Sequence, residues 1–177
     1  TALETLRHMI AVPPPRLPAA DAVLSLNVLS QLPVGWQEIV EELLIDSFGK
    51  KWVREREQEW VEALLPSGLT LVHDHFAAIA STRCREALVI TDTHYTEYRG
   101  VAACSRGAFA PPPAGGEHTT WSALCNAEVD SLLAGWARRT VGEWNWHIAP
   151  FGLESEPYGT FHHVAAWRFE RETAVAR

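Results

Sequence analysis

The spacing of apolar residues divides the first half of the chain into a strand followed by helices. Residues 21–33, DAVLSLNVLSQLP, begin with a nearly continuous apolar run, which is typical of a buried strand. Over residues 35–65 the apolar positions recur at helical spacing, which predicts one long or two consecutive amphipathic helices. The sequence Pro-Ser-Gly at 66–68 predicts the end of this helical region, and a third helix is predicted over about 70–82.

The second half of the chain reads as another strand, a loop, a helix and a closing pair of strands. Residues 86–98, EALVITDTHYTEY, form an apolar run that ends in polar groups. Residues 99–120 are rich in Gly and Pro and predict a long loop, and 128–139 predict a short amphipathic helix. The aromatic-rich segments 144–152 and 160–171 alternate as strands do, so we expect them to pair antiparallel.

This order of elements predicts an α/β fold in one domain, 1–177. We expect a mostly parallel open sheet with flanking helices and a C-terminal antiparallel strand pair. The first two strands are joined by helices, so they should be parallel neighbours connected by a right-handed crossover.

Composition narrows the class of protein. Hydrophobic residues make up 47% of the 177 positions, enough for a sizeable core. The net charge of −7 argues against a nucleic-acid partner, and no apolar run approaches the 18 residues that indicate a membrane span. Cys84, Cys104 and Cys125 form no CxxC pair, which is typical of reduced thiols in a cytoplasmic protein.

The segment 21–33 fits the form D-x-V-x-S-x-N-V-L-x-x-L-P. It resembles the strand that crosses the sheet centre in class I S-adenosylmethionine-dependent methyltransferases. The run ALVITDTHY, ending in a carboxylate, resembles the next strand of that family, and the predicted final helix and strand pair resemble its closing elements. The resemblance implies a Rossmann-like methyltransferase fold, S-adenosylmethionine as cofactor only if the family's Gly-rich N-terminal half is present, and an unidentified small-molecule or protein substrate.

The chain lacks the cofactor-binding motif that is typical of the family. The family's Gly-rich turn and acidic strand end have no counterpart, since Gly115 and Gly116 lie in a Pro-rich loop. We therefore expect the C-terminal part of a larger methyltransferase-like domain, with the N-terminal strands missing and a helical insertion at 35–66. The strand at 21–28 would then have an unpaired edge, which other residues or a partner chain, such as a second copy, should cover.

The resemblance implies a cofactor or substrate site at the polar end of the first strand. Ser25 and Asn27 are the expected cofactor-binding residues there, because ligands of open α/β sheets bind outside the carboxyl ends of the strands. The alternative interpretation of Asn27 is a side-chain cap of the following helix or turn.

The second strand ends in the candidate catalytic residues Asp92, His94 and Tyr95. Asp92 and His94 are two positions apart, so in an extended chain they face the same side. A histidine beside a carboxylate is suited to act as a general base. The alternative is a set of ordinary polar residues at a strand end.

Several histidines and aspartates also raise the possibility of a metal site and hydrolase activity. The residues concerned are His73, Asp74, His75, Asp92, His94, His162 and His163. Their spacing argues against a shared site, because 73 and 75 point apart on a helix and 162 and 163 face opposite sides of a strand. We expect no metal. Besides the methyltransferase, the sequence leaves open a catalytically inactive, partner-binding module of the same fold.

Overall fold

The computed structural model describes residues 16–99, 115–123, 135–149 and 158–171, which form an α/β structure. The described residues contain five strands and three helices. In chain order these are β1 (Ala22–Leu26), α1 (Val28–Phe48), α2 (Lys50–Glu55), α3 (Glu57–Ser81), β2 (Glu86–Arg99), β3 (Glu117–Ser122), β4 (Trp136–Ala149) and β5 (Tyr158–Arg171).

The strands form one open, mixed sheet in the order β1-β2-β5-β4, and β3 pairs with the second half of β2. β1 and β2 are parallel neighbours, as predicted, with Leu26 opposite Ile90. β5 runs antiparallel to both β2 and β4, which confirms the predicted closing pair. The predicted parallel majority is not observed, because three of the four pairings among the described strands are antiparallel.

The larger hydrophobic cluster joins one face of the sheet to helices α1 and α3. Ala87 and Val89 of β2 lie opposite Phe169 and Trp167 of β5, and all four are buried on this face. Phe76 of α3 packs edge-on against Phe169, with ring centroids 6.2 Å apart. A buried side chain of this size stabilises the fold by about 1.5–3 kcal/mol. We call this covered side of the sheet the helix face and the other side the open face.

A smaller cluster holds the three helices to one another. It comprises Val40, Leu44, Val53, Trp60 and Leu64, all of which are buried. The indole N–H of Trp60 donates a hydrogen bond to the carbonyl of Val53 at 3.1 Å. The spacing of these residues follows the amphipathic pattern seen over residues 35–65, so helices were correctly predicted there.

The bounds of the helices differ from the prediction. α1 already begins at Val28, because Asn27 takes the left-handed conformation, with φ 53°, and turns the chain out of β1. α3 continues through Pro66, Ser67 and Gly68, where the sequence predicts a break. A proline inside a helix costs about 3 kcal/mol. Packing offsets this cost, since the apolar residues Leu64 and Val72 on either side of the proline are buried. The helix predicted over 70–82 is the second half of α3.

Strand β3 occupies part of the predicted loop at 99–120, which is a correction. The segment Glu117–Ser122 contains β-branched and aromatic residues, which favour strands. The second half of β2 extends past the end of β1, so its edge is open and β3 pairs with it.

Strand β4 begins inside the predicted helix 128–139, which is a second correction. Residues 128–134 lie outside the described residues, but Trp136 onward is strand and pairs with β5. Arg171 lies opposite Trp136, with its guanidinium 4.7 Å from the ring centroid. Cross-strand contacts of this kind stabilise the extended conformation. They cannot be predicted from the helical spacing of apolar residues within one segment.

Two further expectations concern the thiols and the membrane. Cys84 is a buried free thiol, while Cys104 and Cys125 lie outside the described residues. Within the described ranges, none of the helices combines the length and the apolarity that crossing a bilayer requires.

Candidate functional site

The carboxyl ends of β1 and β2 meet at one edge of the sheet. The backbone N–H of Asn27 donates a 2.7 Å hydrogen bond to the carbonyl of Ile90, directly after the last parallel pair. Ser30, one turn further on, reaches Asp92 through its hydroxyl. The structure therefore brings the polar ends of the two strands together, as the sequence predicts.

Asn27 occupies the position before the helix but does not cap it with its side chain. No side-chain capping hydrogen bond is formed, and Oδ1 is buried without a hydrogen-bond partner among the described residues. A buried acceptor left without a donor costs about 1–3 kcal/mol. Of the two interpretations of Asn27, the cap is not formed, and the unsatisfied amide is what a ligand-binding role requires.

Ser25 points to the helix face rather than to this edge. Its hydroxyl lies 2.9 Å from Nε2 of His75 on α3, and the serine is buried. Burial lowers the pKa of His75 below its ordinary value. Ser25 therefore joins β1 to α3 and does not lie with Asn27.

Asp92 is the buried charged centre of the edge. It is 2% exposed, and its Oδ2 accepts a 2.8 Å hydrogen bond from Ser30. The same oxygen lies 3.1 Å from Nδ1 of His162, close enough for an ion pair, although the two groups are not aligned as a hydrogen bond. A carboxylate beside Nδ1 favours the tautomer that carries its proton on that nitrogen, which leaves Nε2 as the nitrogen able to accept a proton.

His94 does not share a side with Asp92, which corrects the alternation argument. A β-bulge interrupts β2 between the two, so Asp92 lies opposite Val164 and His94 lies opposite His163. Val164 and His163 are consecutive in β5 and face opposite ways, so Asp92 and His94 do too. His162 from β5 takes the place beside Asp92 that the sequence assigned to His94.

Tyr95 returns to the same side as Asp92, because it follows the bulge by one more residue. It lies opposite His162 in the register, with ring centroids 6.3 Å apart. Trp121 of β3 stacks on Tyr95 at 5.3 Å between centroids. Aromatic rings thus flank His162 on the open face of the sheet.

His94 instead lines a polar cleft of about 680 Å³ on the helix side of the sheet. His163 lies next to it, with ring centroids 6.4 Å apart, and its Nε2 is 2.8 Å from the hydroxyl of Thr96. Burial, and then the charges of His94 and His162, lower the pKa of His163.

The histidines and aspartates of the metal hypothesis are dispersed. His73 is exposed on α3 whereas His75 faces Ser25, and His162 and His163 lie on opposite faces of β5. In the part of the chain that the structure describes, no group of three or more His, Cys, Asp or Glu side chains is arranged to hold a metal ion.

An apolar groove of about 530 Å³ lies on the open face, and two of its lining residues, Val164 and Trp146, are the strand partners of Asp92 and His162. Trp144 lies opposite Val164 and Trp146 lies opposite His162, so the groove borders the histidine. The lining residues are Leu26, Asn27, Ile90, Trp144, Trp146 and Val164. A second depression, of about 610 Å³, shares Leu26 and Asn27 and extends along α1. Both volumes are in the range of small-molecule sites.

Sequence reasoning did not assign His162 and Ser30 to this site. The pair His162-His163 in an alternating strand does show that one histidine faces each side. Which strand lies beside it, and in which register, depends on long-range pairing.

Comparison of the chain with protein-family models, curated proteins and solved structures gives no match. The interpretation of this edge therefore rests on its own geometry and chemistry.

Proposed function

We propose that this chain forms the acceptor-binding side of an S-adenosylmethionine-dependent methyltransferase. The observation that carries the proposal is that Asn27 and Asp92 lie at one edge of the sheet, where two parallel strands end side by side. Ligands of open α/β sheets bind at such edges. The resemblance of residues 21–33 to the family's central strand, and the closing antiparallel pair, lend further support.

The edge offers one polar anchor that suits the cofactor. The Oδ1 atom of Asn27 is unsatisfied, and an amide oxygen accepts hydrogen bonds from an ammonium group. The methionine portion of the cofactor carries such a group. Ser25 is bonded to His75, so the proposal assigns it no contact. Gly115 and Gly116 have positive φ but lie just before strand β3, so they are not the family's turn.

When bound, the cofactor supplies a methyl group whose bond to sulfur breaks as a bond to the acceptor atom forms, leaving a neutral thioether. His162 receives the acceptor's proton at Nε2, because the Asp92 carboxylate beside Nδ1 favours a proton on that nitrogen. Asp92 also stabilises the imidazolium that this step creates. Tyr95 and Trp121 restrict the access of water to the histidine from one side.

Calorimetric titration of the full chain with S-adenosylmethionine, followed by transfer assays with the methyl-labelled cofactor, tests the proposal. We expect saturable heat, and we expect His162→Gln to keep cofactor binding while transfer falls about 10²–10⁴-fold, the usual contribution of a general base. The matched control is His163→Gln, the adjacent residue on the other face. Absence of heat at millimolar cofactor would overturn the proposal.

A second candidate is a catalytically inactive module that binds a partner chain. The observation that favours it is β1 itself, which is an edge of the described sheet and exposes Leu24 by 60%. An open, apolar strand edge is a site of chain association. Self-association without cofactor binding would support this second function instead.

A further inference from the structure

Two tryptophans on the open face form a wall of the groove beside His162. Trp144 and Trp146 are two positions apart in β4 and face the same side, and Trp146 is 39% exposed. Large aromatic side chains left partly open beside a cavity are typical of interaction sites. The size of the groove, about 530 Å³, matches a small molecule rather than a polypeptide.

The polarity of this groove restricts what it can hold. Leu26, Ile90 and Val164 complete its lining with the two tryptophans, and Asn27 is the polar residue among them. None of the described residues that line it is charged, and the nearby Oδ2 of Asp92 already lies against Ser30 and His162, so a charged ligand would lose more hydration than the groove replaces. A neutral, apolar molecule loses far less hydration free energy when it enters the groove.

Two unsatisfied polar groups indicate that the ligand also forms hydrogen bonds. Oδ1 of Asn27 and Nε1 of Trp36 are both buried, and neither has a hydrogen-bond partner among the described residues. Asn27 lies where the groove meets the second depression, and Trp36 lines that depression. An amide oxygen has two lone pairs, so a ligand with an O–H or N–H group can donate to Oδ1 of Asn27 alongside the ammonium group of the cofactor.

We propose that the groove binds a neutral, flat aromatic molecule carrying a hydroxyl or amine, and that this molecule is the methyl acceptor. The inference rests on the proposed methyltransferase function and names its substrate class. The ring lies against Trp144 and Trp146, and its O–H or N–H group faces Asn27 and His162. In the reaction, the O–H or N–H proton would pass to Nε2 of His162 as the oxygen or nitrogen forms its bond to the methyl carbon. The bound cofactor would supply that methyl group and would keep the electron pair of the broken carbon–sulfur bond.

Binding of 2-naphthol to the full chain, measured by calorimetry without cofactor, tests the groove directly. We expect saturable binding that weakens at least tenfold in Trp146→Ala and about fivefold in Asn27→Gly, which removes the amide and tolerates the left-handed backbone at this position. Trp52→Phe, on helix α2 and not in the lining, is the matched control and should bind as the wild type does. We expect the cationic probe 1-naphthylmethylamine to bind at least tenfold more weakly. Circular dichroism and melting temperature verify that each variant is folded.

The outcomes separate this inference from the function on which it rests. If the chain does not bind 2-naphthol at millimolar concentration, the inference is wrong. The inference is also wrong if both groove variants bind 2-naphthol as tightly as the wild type does. Equal binding of the cationic probe would overturn the requirement for a neutral ligand. If 2-naphthol binds in the groove but S-adenosylmethionine gives no heat, the groove stands and the methyltransferase proposal fails. If the chain binds the cofactor and methylates other acceptors but does not bind 2-naphthol, the methyltransferase proposal is supported and the proposed class of substrate is contradicted.

Discussion

His162 of β5 lies with its Nδ1 atom 3.1 Å from Oδ2 of Asp92 in β2. The same oxygen accepts a hydrogen bond from Ser30 at the start of α1, so one buried carboxylate connects two strands and a helix. A buried charge requires such partners, because removal from water is otherwise costly. The contact therefore matters to the stability of this edge as well as to its proposed chemistry.

Asp92→Ala should lower the free energy of unfolding by about 1–3 kcal/mol, because it leaves the Ser30 hydroxyl without its acceptor and the His162 ring without its neighbouring carboxylate. Urea unfolding at neutral pH measures the loss. The matched control is Glu86→Ala in the same strand, whose carboxylate bonds to Arg168 in a half-exposed pair. Exposed pairs contribute less than about 1 kcal/mol. Equal losses in the two variants would contradict the role of Asp92.

Gly159→Ala should be destabilising by about 1–3 kcal/mol, since overpacking forces neighbours to shift. A Cβ at Gly159 would overlap the ring of Tyr98. That ring is fully buried, and its hydroxyl is 2.9 Å from Nε2 of His147, so it has little freedom to move. Thermal melting compares this variant with Gly142→Ala, where the nearest atom lies at 3.8 Å. A melting temperature no lower than that of Gly142→Ala would show that the Tyr98 ring can move.

Stability should fall as the pH drops below 6.5, and His75 should account for part of the fall. Burial lowers the pKa of His75 below 6.5, so below that pH the unfolded chain binds a proton that the folded protein does not. The stabilisation is complete above pH 6.5 and decreases toward the lowered pKa. Unfolding free energies at pH 7.5 and 5.5 measure the slope.

His75→Gln removes this titration and retains a side chain able to bond to Ser25, so it should flatten the slope. His73→Gln, on the exposed side of the same helix, should leave the slope close to that of the wild type. A slope that is unaffected by His75→Gln would mean that other groups dominate the pH dependence.

Leu24→Lys should reduce self-association of the chain. Leu24 lies on the edge strand β1 and is 60% exposed, and a lysine on an edge strand discourages pairing with another chain. Sedimentation velocity over a range of concentrations measures the change. Leu43→Lys, at an exposed position on helix α1, is the control and should alter association little. A wild-type chain that stays monomeric at every concentration would show that no second copy covers this edge.

The elements most accurately predicted were those with a strong local pattern. The apolar run ending at Asp92 predicts β2 almost to its limits, and the alternating aromatic segments predict the pairing of β4 with β5. The break predicted at Pro66 was wrong, because burial of the apolar residues Leu64 and Val72 on either side outweighs the local effect of the proline.

The sequence by itself determined that two apolar strands, joined by helices, end in polar groups, because hydrophobic periodicity and chain connectivity are local properties. Tertiary structure alone decided which polar groups meet. One extra residue at Thr93 turns His94 to the other face, and the register of β5 then places His162 beside Asp92. Bulges and strand registers are set by packing between residues distant in sequence, and no local pattern of residues specifies them.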